Sequence, residues 1–102
     1  MATATPRIAF DREALAALCR KHHIRRLAFF GSVLRDDFGP DSDVDLLYEF
    51  EEGKTPGWEF VSIIEDFARF FGRPVDMVAF DYIDRRLRKR ILAEAQMQYE
   101  AA

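Results

Sequence analysis

Between Gly31 and Asp45 the chain sets a glycine-serine pair, a ten-residue spacer and two aspartates one residue apart, within FFGSVLRDDFGPDSDVDLLYEF (Phe29 to Phe50). Each part has a chemical use. Gly31 lets backbone approach a ligand, and a short helix over SVLRDDF would aim free N–H groups and the positive end of its dipole at phosphate oxygens. The Ser32 hydroxyl adds one donor. Asp43 and Asp45 lead into a strand-like run after the Gly39-Pro40 turn, so their side chains project together, roughly 6.6 Å apart. Two such carboxylates repel unless a cation sits between them, and oxygen ligands beside a phosphate site suit Mg²⁺. The expected unit is a phosphate cradle joined to a metal pair.

A third acid stands farther along. In PVDMVAF, Val75, Met77 and Ala79 alternate with Asp76, Val78 and Phe80, the pattern of a strand. A strand-helix-strand connection is expected to lay it parallel beside the strand of Asp45, which brings Asp76 to the face of Asp43 and Asp45. A carboxylate in a buried-looking strand is costly without a partner, and a cation, or an ion pair to Arg25 or Arg73, would supply one. Glu49 shares the alternation but lies ~13 Å from Asp45 on an extended strand, so no metal role is assigned to it. A calcium loop is a competing reading, because Asp41, Asp43, Asp45 and Glu52 follow its ligand spacing; Leu46 stands where the loop needs glycine, and LLYEF reads as a strand.

The pattern G-S-x10-D-x-D followed by a later strand acid resembles the polymerase-β-type nucleotidyltransferase superfamily. More narrowly, GSVLRDDFGPDSDVDLL resembles the minimal nucleotidyltransferases, small proteins that pair with HEPN-domain toxins. The resemblance implies an α+β nucleotidyltransferase fold in which Gly31, Ser32, Arg35 and Ser42 bind nucleotide. It further implies that Asp43, Asp45 and Asp76 hold one or two Mg²⁺ ions and act in catalysis, with Asp76 accepting the proton of the attacking hydroxyl. The implied reaction moves AMP from ATP to a hydroxyl, a tyrosine's, of a HEPN-domain toxin that is thereby silenced. Arg35 matches the arginine of the family's G-S-x-x-R segment, whereas Asp36 stands where glycine is common. Two alternatives remain open: an antitoxin that inhibits by binding alone, and a nucleotidyltransferase whose acceptor is a small-molecule or RNA hydroxyl.

Other elements must position these residues. Asp11 can cap a helix carrying Leu15, Leu18 and Cys19 and ending near His22, with Phe10 placed to pack on Leu15. Arg25 to Phe30 and Val44 to Phe50 read as the first two strands. From Gly57 to Phe71 the residues Phe60, Ile63, Ile64, Phe67 and Phe71 recur at helical spacing, ahead of the terminator Gly72; Trp58 is expected to pack at the start of this helix. Ile83, Leu87, Ile91, Ala95 and Tyr99 predict a closing helix, whose basic run Arg85, Arg86, Arg88, Lys89 and Arg90 is read as a solvated face outside the site, with docking of an acidic partner or neutralisation of a triphosphate as the alternative. His22 and His23 diverge by about 100° on a helix and cannot form a metal pair on one face. The expected architecture is a small mixed sheet of three to four strands, order 1-2-3, with helices mainly on one face and the aspartates on the other.

At 102 residues the chain is expected to be one domain, residues 1–102, with a loose arm over 1–9 and no room for a separate acceptor-binding domain. A hydrophobic share of 49% that includes ten Phe argues for a packed core. The net charge of −3 argues against stable nucleic-acid binding and so against a template-directed polymerase. A single cysteine, no signal peptide and no apolar run of membrane-spanning length lead to the expectation of a soluble, cytoplasmic protein with no membrane contact.

Overall fold

The computed structural model describes residues 8–101. Of the arm expected over residues 1–9, only Ile8 and Ala9 lie within the described residues, and Ile8 packs against the core. Asp11 starts the first helix, α1 (Arg12–Lys21), by accepting the Glu13 and Ala14 N–H groups at 2.9 and 3.1 Å. Two donors that the helix itself leaves unpaired are thereby satisfied. Phe10 packs against the core cluster that contains Leu15, edge-on to Phe29 at 5.5 Å and to Phe71 at 5.8 Å.

His23, at φ 58°, turns the chain from α1 into β1 (Ile24–Phe30). β1 pairs antiparallel with β2 (Val44–Phe50), and β2 pairs in parallel with β3 (Val75–Ala79) across α2 (Phe60–Phe71). α2 ends at Gly72, whose left-handed backbone (φ 70°) donates its N–H to Ala68. The three strands lie in the expected neighbour order. The source of the fourth was not foreseen: the closing helix α3 (Arg85–Glu94) stops five residues before Tyr99, and β4 (Gln96–Glu100) pairs antiparallel with the free edge of β1, giving the order β3-β2-β1-β4. Ala95 leaves helical geometry at ψ 142°. The apolar stripe could not reveal this, because Tyr99 suits both periods, and an open β1 edge would have left its N–H and C=O groups unpaired.

α1 and α2 cover one face. Leu15, Cys19, Ile63 and Phe67 meet Leu27, Phe29, Val44 and Leu46 there, with Phe29 and Phe67 fully buried. Full burial of one such ring contributes about 1.5–3 kcal/mol. The opposite face carries a smaller cluster of Ala28, Leu47, Phe80 and Ile83, packed under Ile91 and Ala95. Trp58 does not pack as expected; it is 95% exposed ahead of α2. No helix among the described residues is long and apolar enough to cross a membrane.

Candidate active site

Alternation along β2 decides what each face receives. Val44 and Leu46 turn into the large core, so Asp43 and Asp45 turn the other way. The parallel register sets Asp76 directly beside Asp45, and partners in register project to one side. Asp43 and Asp76 are exposed and Asp45 is half-buried, which corrects the reading of Asp76 as part of a buried strand. The ion-pair partners considered for Asp76 are used elsewhere. Arg25 lies 3.6 Å from Glu49, and Arg73 donates to backbone carbonyls.

Gly31 follows β1 at φ 76°, against the Asp45 side chain. A Cβ on residue 31 would collide with Asp45 Oδ2, so glycine is required both by the backbone angle and by the carboxylate it touches. The helix expected over Ser32 to Phe38 is a single 3-10 turn, Gly31–Leu34, after which Arg35 is extended. The Ser32 backbone N–H hydrogen-bonds the Asp45 carboxylate. Burial raises the Asp45 pKa above the ordinary carboxylate value, and the negative charges of Asp76 and then Asp43 raise it further, against the Ser32 hydrogen bond and the Arg35 charge. Among the described residues, no three acidic, histidine or cysteine side chains stand close enough to enclose one ion. Three carboxylates on one face, with Asp45 repelled by the other two, nevertheless make a donor set whose chemistry fits a hard divalent cation.

A cleft of about 400 Å³ opens beside this group. It is lined by Gly31, Ser32, Arg35 and Asp45 and by Leu87, Arg90, Ile91 and Glu94 of α3. The profile of the family described as nucleotidyltransferase domain matches residues 11–97. The chain belongs to that family.

Its relatives agree on the kind. A candidate protein adenylyltransferase of Methanocaldococcus jannaschii is 36% identical over 75 residues, 74% of this chain and 80% of that one. The solved structure of a candidate minimal nucleotidyltransferase is 39% identical, with a TM-score of 0.69 over 83% of this chain and 86% of the other. A chain from the complex of a tri-AMPylated Shewanella oneidensis HEPN toxin with an MNT antitoxin shares the fold at 14% identity, with a TM-score of 0.62 over 88% and 70% of the two chains. The protein is a minimal nucleotidyltransferase, as its motif implied.

In this nucleotidyltransferase the loop before Asp43 is held by contacts that the sequence did not announce. The Arg73 guanidinium donates to the Gly39 carbonyl at 2.6 Å and the Ser42 carbonyl at 3.1 Å, and lies 4.3 Å from the centre of the Phe38 ring. Ser42, expected at the nucleotide, turns its Oγ into the same loop and accepts the Gly39 N–H at 3.0 Å. Glu49 is held at the far end of β2 by a two-pronged contact from Arg26, both distances 3.2 Å. Sequence reasoning left Arg90 outside the site with the rest of its basic run and missed Glu94; both line the cleft. Their four-residue spacing beside the stripe of Leu87 and Ile91 was the available signal.

Proposed function

We propose that this nucleotidyltransferase moves AMP from ATP to a tyrosine hydroxyl of a HEPN-domain toxin and so acts as its antitoxin, with residues 1–102 working as one domain. The attacking oxygen bonds to the α-phosphorus, the α–β anhydride bond breaks, and pyrophosphate departs. The observation that carries this reading is the contact of Gly31 with Asp45, itself in register with Asp76, at a cleft lined by Gly31, Ser32, Arg35 and Asp45. Support for the acceptor comes from the AMPylated HEPN toxin found with the MNT antitoxin of like fold.

Gly31, Ser32 and Arg35 receive the phosphates, and Arg35 offsets their charge. Asp43, Asp45 and Asp76 would hold Mg²⁺, which when bound stabilises the charge that develops on the transferred phosphoryl group. Asp76, exposed beside Asp45 on the neighbouring strand, accepts the proton of the incoming hydroxyl. Ser42 serves the site through the turn that it closes ahead of Asp43.

Intact-mass spectrometry of a HEPN-domain partner, incubated with the protein, ATP and Mg²⁺, is expected to show steps of about 329 Da, one AMP each, absent with Asp45→Asn. An unmodified partner whose toxicity is still blocked by an Asp43→Ala, Asp45→Ala double variant would establish inhibition by binding alone.

A further inference from the structure

The basic run on α3 looks uniform in the sequence, but the fold divides it. Arg86 lies 3.6 Å from Asp84 next to the start of the helix, and Arg88 donates to the Phe80 carbonyl at 3.0 Å, tying α3 to the turn that follows β3. Arg85 and Lys89 are exposed and line no part of the cleft. Arg90 alone of the five lines it, together with Ser32 and Arg35.

Its partner is Glu94, one turn along at 3.7 Å, in a pair whose side chains are 76% and 50% exposed. Such a pair contributes little to stability and is released easily. A guanidinium presents several donors in a plane that matches phosphate oxygens, so a polyphosphate is a stronger partner for Arg90 than this carboxylate. Glu94 lines the cleft too and would repel the same phosphates.

We propose that Arg90 is a binding residue for the β and γ phosphates of the nucleoside triphosphate. Glu94 holds it until nucleotide arrives. α3 is then part of the nucleotide site, with Arg90 and Arg35 both reaching the triphosphate from the lining of one cleft. This deepens the AMP-transfer reading and rests on it.

The test is nucleotide affinity without divalent metal, by competition with a fluorescent ATP analogue. Arg90→Ala is expected to weaken ATP about tenfold while leaving AMP unchanged. Glu94→Gln is expected to tighten ATP about threefold, because the competing carboxylate charge is gone. Arg85→Ala, on the same helix but away from the cleft, should match wild type. Wild-type ATP affinity in Arg90→Ala overturns the inference alone, as do equal losses for ATP and AMP, an equal loss in Arg85→Ala, or no tightening in Glu94→Gln. A wild-type protein that binds no ATP and transfers no AMP to a HEPN-domain partner overturns the underlying reading as well.

Discussion

The two faces of the sheet use the same strands for opposite ends. On one, Leu27, Phe29, Val44 and Leu46 are fully covered by α1 and α2, and Phe10, Phe29, Phe70 and Phe71 meet ring to ring at 4.9–6.5 Å. On the other, the cover of Phe80, Ile83 and α3 extends over Ala28 and Leu47 but leaves Asp43 and Asp76 exposed and Asp45 half-covered. The closed face supplies the stability. The open face can then tolerate three like charges, a cost that a fully packed layer could not carry.

If that division is real, damage to each face should show up in a different measurement. Phe67→Ala, on the closed face, is expected to lower unfolding free energy by about 3–5 kcal/mol in urea, the cost of an emptied aromatic site. A loss under about 1 kcal/mol would mean that the covered face does not carry the fold. Gly31→Ala should act on the other side of the comparison. A methyl group forced against the Asp45 carboxylate is expected to cut AMP transfer about 100-fold, because small displacements of reacting groups have effects of that order. Its urea midpoint should move far less than that of Phe67→Ala; equal shifts in stability would erase the distinction between the faces.

The smallest expected effect lies at the helix layer's outer rim. There Asp66 accepts a 2.8 Å hydrogen bond from His22 and lies 3.0 Å from Arg69 and 3.6 Å from Lys21. The His22 hydrogen bond, ahead of the Lys21 charge and the Arg69 hydrogen bond, holds the Asp66 carboxyl below its ordinary pKa against the opposing effect of its desolvation. With the folded value depressed, its contribution is complete above the ordinary carboxylate range and is lost as pH falls through the folded value. Asp66→Asn should therefore flatten the acid limb of the thermal midpoint against pH, leaving AMP transfer at neutral pH unchanged. An unaltered acid limb would show that the His22 contact contributes nothing to folding.

Much of the site was legible because its signals are local. The spacing of Gly31, Asp43 and Asp45 and the alternation around Asp76 each depend on a strand period of two, which a short window of sequence displays. The Ser32 to Phe38 helix failed for a different reason. The turn ends at Leu34, and Arg35 is extended before Asp36 and Asp37, whose side chains compete poorly for helix interiors. The contacts of Arg73, and the choice of Arg90 from among its basic neighbours, were beyond reach. Arg73 finds its carbonyls more than thirty positions back along the chain, and Arg90 faces the site only once α3 has folded over the sheet.

By itself the sequence determined the three consecutive strands, the crossover helix with its glycine stop, the burial stripes and the acidic pair behind a glycine-serine bend, since periodicity and turn chemistry act over neighbouring residues. Tertiary structure decided the rest: that the last residues leave their helix to pair with β1, that Trp58 faces solvent, and that one arginine of five reaches the cleft. Those outcomes depend on which edges and faces remain open after the sheet has formed, and that competition among distant parts of the chain is written in no single segment.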